Sequence, residues 1–146
     1  MNAIKAGAAL LAAALAGCAA PQAVTEAAPP APPVCAAGGA QMARVELIFG
    51  LDIKGGGRVS EKAWRAFLET EVTPRFPDGL TAFDAYGQWR VPGDGRIARL
   101  DSKVLLIWYA PSPEAESRIQ AIREAYKARY DQISVMRVDG VDCVSF

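Results

Sequence analysis

From Arg44 onward the spacing of the apolar residues changes in a fixed order, and that order limits the available folds more than any other feature. Val45, Leu47, Phe49 and Leu51 alternate, as in a half-buried strand. Lys54-Gly55-Gly56-Gly57 makes a flexible turn. Ser60 then caps a helix, with Val59 placed to staple onto Trp64. Trp64, Phe67, Leu68 and Val72 share one face of that helix, and Thr73-Pro74 closes it. Gly79 to Val91 and Arg96 to Tyr109 read as a second and a third strand, joined by the hairpin loop Pro92-Gly93-Asp94-Gly95. Ser112-Pro113-Glu114 opens a second helix with a cap, a first-turn proline and an early acid. Ala115, Ile119, Ile122 and Tyr126 form its apolar stripe, and Gln132 to Val138 supplies a fourth strand.

Strand, helix, strand, strand, helix, strand is the ferredoxin-like split βαβ order. Right-handed crossovers give an antiparallel sheet of order 4-1-3-2 with two helices on one face. The third strand, Val104-Leu105-Leu106-Ile107-Trp108, has the continuous apolar character of a central strand. The fourth has the polar content of an edge. An open α+β sandwich with another strand order is the alternative.

Register then places side chains. If the hairpin closes at Val91 and Arg96, Trp89 faces Ala98, Gly87 faces Leu100, Ala85 faces Ser102 and Phe83 faces Val104. That apolar set is expected to pack under the helices. The other set pairs Gln88 with Arg99, Tyr86 with Asp101 and Asp84 with Lys103, with Arg90 nearby. It is expected on the open face as a candidate ligand surface, continued by Leu105, Ile107 and Ile48. The plainer reading is a solvated face with cross-strand pairs worth a few tenths of a kcal/mol each. Arg75, on the stiff loop after the first helix, is a candidate anion contact. The more ordinary role for it is to tie the loop to its own helix.

The N-terminus reads as an export signal. A short basic start is followed by an apolar run, Ala6 to Leu15, too short to span ~30 Å of hydrocarbon. Leu15-Ala16-Gly17-Cys18 resembles the bacterial lipobox, which predicts cleavage before Cys18 and lipid on its thiol. Ala19 in place of aspartate favours the outer membrane, facing the periplasm. Residues 1–17 are thus the signal, 18–34 a lipidated Pro/Ala-rich tether and 35–146 a single α+β domain. The tether could reach roughly 45 Å at ~3.1 Å per residue. Cys35 precedes the first strand and Cys143 follows the fourth, and these strands are antiparallel neighbours in the expected order. In an oxidising compartment the two cysteines are expected to form a disulfide.

Composition removes several functions. Of 146 residues, 16 are basic and 16 acidic, so no net basic field attracts nucleic acid. There is no histidine, which excludes histidine-based triads and the commonest metal ligand. The acids lack calcium-loop spacing, so no metal site is expected. Gly55-Gly56-Gly57 lacks the Gly-Lys-Ser/Thr start of a phosphate loop, and no cofactor is expected.

The run Val72-Thr73-Pro74-Arg75-Phe76-Pro77-Asp78-Gly79-Leu80-Thr81, with Asp84-Ala85 and Gly87-Gln88-Trp89-Arg90 after it, resembles the bacterial family called domain of unknown function 3574. Gly57-Arg58-Val59-Ser60-Glu61 and Ser102-Lys103-Val104-Leu105 add to the resemblance, which spans about Val45 to Val138. It implies a secreted or lipid-anchored envelope protein and carries over no catalytic residue. The expectation is therefore a non-enzymatic module that binds a small ligand or an envelope protein. The alternative is a small enzyme of the dimeric α+β-barrel kind, a homodimer through its open sheet faces. Asp84, Tyr86 or Lys103 would then serve as acid or base.

Overall fold

The computed structural model describes residues 34–146. The expected signal, the tether up to residue 33 and the lipidation site Cys18 lie outside the described residues. Strand β1 (Ala40–Gly50) leads to helix α1 (Glu61–Phe67), which runs on as a π-helical turn over Leu68–Val72. Then come β2 (Thr81–Arg90), β3 (Ile97–Tyr109), helix α2 (Pro113–Tyr130) and β4 (Met136–Val144). The strands form one antiparallel sheet of order β2-β3-β1-β4, the ferredoxin-like order read from the periodicities.

Local chemistry explains the helix limits. Ser60 Oγ accepts the Ala63 amide at 3.2 Å, and Ser112 Oγ accepts the Ala115 amide at 3.1 Å. Thr73 donates its amide to Leu68 O at 2.8 Å, the five-residue closure of a π turn. Asp131, at φ 47°, takes the left-handed conformation that ends α2.

Val45, Leu47 and Phe49 of β1, with Leu105 and Ile107 of β3, form the floor of the core. Trp64, Phe67 and Val72 cover it from the first helix, and Ile119, Ile122 and Tyr126 from the second. The Phe49 ring lies 4.6 Å from Tyr126 and 5.1 Å from Trp64, centroid to centroid. The buried Tyr126 hydroxyl donates to Gly50 O at 2.8 Å, and burial pushes its pKa far above the usual range. Tyr130 OH donates to Ala63 O at 3.0 Å and ties α2 to α1.

The expected β2–β3 register is present pair for pair, from Phe83 opposite Val104 to Trp89 opposite Ala98. The faces, however, are exchanged. Asp84 and Lys103 lie on the helix side with Leu105 and Ile107, while Phe83, Ala85, Gly87 and Trp89 point away from the helices. The reason lies in β1. Phe49 pairs with Lys103, Leu47 with Leu105 and Val45 with Ile107, so the apolar alternation of β1 selects which side the helices cover. The hairpin pairs, read alone, pointed the other way because their apolar set is on the uncovered side. Ile48 is on the uncovered side too, opposite Val104.

The fourth strand also starts later than expected, at Met136 rather than Gln132, and runs on to Val144. Gln132 instead serves the turn, where its side-chain amide donates to Asp52 O at 2.7 Å and to Tyr130 O at 3.3 Å. Pairing with β1 continues to Gln41 opposite Cys143 and Ala40 opposite Val144. The expected disulfide, Cys35–Cys143, closes this end with a Cα–Cα distance of 5.3 Å.

Candidate functional site

The side of the sheet without helices is mostly apolar. Met136 is 55% exposed there, Trp89 49%, Phe83 47%, Val138 41% and Trp108 37%. Leu100, Leu106 and Ile48 lie among them, partly covered by their neighbours. Val104 is only 5% exposed although it lies outside the helix-side core cluster, so its own face screens it. Strands ~4.8 Å apart with ~3.3 Å per residue make a four-stranded face of roughly 600 Å² in projection. The face also holds Arg44, Glu46 and Asp142, and its apolar remainder is comparable with the largest apolar patches left on monomers, which are often functional.

The few charges on this face are paired, two carboxylates sharing one guanidinium. Arg44 Nε lies 2.8 Å from Asp142 Oδ2, and its guanidinium also pairs with Glu46. Trp108 Nε1 donates to the same Asp142 oxygen at 2.8 Å. Gly140, opposite Arg44 on β4, is the floor on which the guanidinium rests. A Cβ there would come 2.7 Å from an Arg44 Nη.

The two ends of the face differ in shape. At the Trp108 end, between the start of β2 and the end of β4, lies a groove of about 990 Å³. Met42, Leu80, Thr81, Trp108, Val144 and Phe146 line it together with the two acids Asp78 and Asp142. At the other end β3 outruns β1. Ile97 to Asp101 pair only with β2, leaving a two-stranded arm that carries Trp89. Asp101 braces its root, accepting from the Leu51 amide at 3.3 Å and pairing with Arg58 at 2.7 Å.

Of the ligand surface expected from sequence, Tyr86 still faces Asp101 and Gln88 faces Arg99 across the arm, while Asp84 and Lys103 form an ion pair beside α1. Lys103 Nζ lies 2.6 Å from Glu61 Oε2 and 2.5 Å from Asp84 Oδ1, and its side chain is 8% exposed. Burial opposes the charge on Lys103, but hydrogen bonds to Asp84 and Glu61 outweigh it and raise the pKa. Glu61 is correspondingly lowered, first by the Lys103 hydrogen bond and then by Arg65. This lysine is held as a cation that clips β2 and β3 to the first turn of α1. Tyr86, Gln88, Arg90 and Arg99 are exposed on the arm, beyond the stretch of β3 that pairs with β1. Arg75 takes the ordinary role: its Nη1 donates to Glu71 O at 2.5 Å and to Glu71 Oε2 at 3.0 Å, fastening the loop to the helix end. Sequence reasoning missed Glu61 as the partner of Lys103, and missed Trp108, Asp142 and Arg44 on the uncovered face.

Together these features define a ferredoxin-like α+β domain with two helices on one side of its sheet and an uncovered apolar face on the other. The chain belongs to the family described as protein of unknown function (DUF3574), whose model matches residues 44–146. Among curated proteins none matches the sequence. Among solved structures that share the fold are two of phage SAM lyases. A phage SAM lyase in complex with S-methyl-5'-thioadenosine is 13% identical, with a TM-score of 0.53 over 78% of this chain and 95% of that one. A phage SAM lyase in the apo state is 16% identical, with a TM-score of 0.50 over 75% and 91%.

Proposed function

We propose that this protein is a lipid-anchored envelope module that works by binding, through the uncovered apolar face of its sheet. The exposure of Phe83, Trp89, Trp108, Met136 and Val138 on that one face is the observation that carries the reading. An apolar face of this extent is costly to leave in water, and covering it is favourable at ~25 cal/mol per Å². The lipobox at Cys18 and the tether after it support placement at the periplasmic side of the outer membrane. The enzymatic alternative draws less support. Asp84, Tyr86 and Lys103 point to the helix side, away from the face that two subunits would enclose. Lys103 is moreover held in its charged form, the opposite of what a general base needs.

The anchor is tested by metabolic labelling with palmitate. Wild type should incorporate label, and Cys18→Ser should incorporate none, because serine cannot form the thioether. Equal label in both would contradict the anchor. The face is tested by its coverage: its side chains should be shielded in the native envelope.

A further inference from the structure

Resting on that reading, we infer that the occupant of the uncovered face is a second copy of this chain, packed sheet to sheet with each arm lying in the other's groove. Three observations lead there. The first is area. Two faces of roughly 600 Å² in projection remove at least about 1,200 Å² from water together, the size at which specific interfaces become stable. The second is charge. Glu46 and Asp142 both pair with Arg44 within one copy, so neither carboxylate stands isolated on the face, although one cation against two acids leaves the cluster a net negative charge.

The third is shape, and it distinguishes a second copy from other partners. The arm with Trp89 and the groove beside Trp108 lie on the same side of the sheet, at opposite ends of β3. A two-fold axis in the plane between two such faces, perpendicular to the strands, reverses the strand direction of the partner. One operation then sets each arm over the other copy's groove, the reciprocal contact of an isologous interface. The arm needs such support, since a two-stranded ribbon is marginal in water. Trp89 supplies the knob, and the groove of about 990 Å³ has room for an indole. Face-to-face sheets pack ~10 Å apart, so the side chains of both faces interdigitate.

The test uses the full chain in native membranes, carrying two different tags on two co-expressed versions. Gly87→Cys places a thiol on the arm on the Trp89 side, where a Cβ meets only Leu100 O at 3.8 Å. Thr81→Cys places one at the groove. Cys35 and Cys143 are joined to each other, and Cys18 carries the lipid in the reading on which this rests, so no native thiol competes. A short bismaleimide should link Gly87→Cys of one copy to Thr81→Cys of the other. Fixed pairing raises the effective concentration of the two thiols, so this product should exceed that of a Gln88→Cys control on the opposite side of the arm by roughly tenfold. No mixed-tag product from thiols shown to react with a monofunctional maleimide would overturn the second-copy inference. So would equal product from Gln88→Cys. If the face side chains are nevertheless shielded in the same membranes, the binding reading stands with a different occupant. If they are open as well, both fall.

Discussion

Leu105→Glu should leave the domain unfolded, while Phe83→Glu should leave it folded. The two residues are on adjacent strands, one register step apart, since Ala82 is the partner of Leu105 and Phe83 that of Val104. Leu105 is fully buried among Leu47, Phe49 and the helices, whereas Phe83 is 47% exposed on the uncovered face. A carboxylate at position 105 loses the leucine's burial and buries an unpaired charge, together costing about 5 kcal/mol or more. At position 83 the charge stays in water, and the cost to a lone domain should be under about 2 kcal/mol, since only half of the phenylalanine is covered and most single changes cost roughly 0.5–3 kcal/mol. Urea unfolding followed by circular dichroism would read both. A folded Leu105→Glu protein of near wild-type stability would put the helices on the wrong side of the sheet.

Loss of the disulfide should have the second largest effect. Cys35 and Cys143 are 108 residues apart and enclose nearly the whole domain. In the chain-entropy treatment a closure of that length is worth about 4–5 kcal/mol, an upper value. Replacing both cysteines by serine should therefore lower the urea midpoint strongly without changing the core. The first pairs to open should be those nearest the bond, Ala40 with Val144 and Gln41 with Cys143, which also border the groove. Hydrogen exchange in the double variant should be fastest there. A midpoint equal to that of the oxidised wild type would show that the unfolded chain is already constrained some other way.

Much of this fold is legible in the sequence because local rules determine it. Ser60 and Ser112 each precede an apolar stripe at helical spacing, and both are caps. The loop at Pro92 to Gly95 sets the β2–β3 register, and Val91 does close on Arg96, amide to carbonyl, at 2.8 Å. The disulfide followed from strand order. The side covered by the helices was not legible from the hairpin, because β3 is apolar on both sides. Leu105 and Ile107 face the helices, and Leu106 and Trp108 face away. Only β1 decides the matter, where Val45, Leu47 and Phe49 alternate against Arg44, Glu46 and Ile48. The Lys103–Glu61 pair spans 42 residues and has no local signature. The cluster of Arg44, Asp142 and Trp108 depends on the late half of β4, which the polar residues around Gly140 disguise as a loop.

The proposal that the uncovered face is the working surface is tested most directly by hydroxyl-radical footprinting of the full chain in the membranes to which that proposal assigns it, against the same chain dispersed and diluted in mild detergent. Tyr86 and Trp89 form an internal comparison, since they lie three residues apart on opposite sides of the arm and are 60% and 49% exposed. The account predicts that Phe83, Trp89, Trp108 and Met136 are oxidised more slowly in the membranes than in the dispersed protein, while Tyr86 reacts alike in both. Equal oxidation of Trp89 and Met136 in the two preparations would show the face bare in the envelope, and would contradict the account.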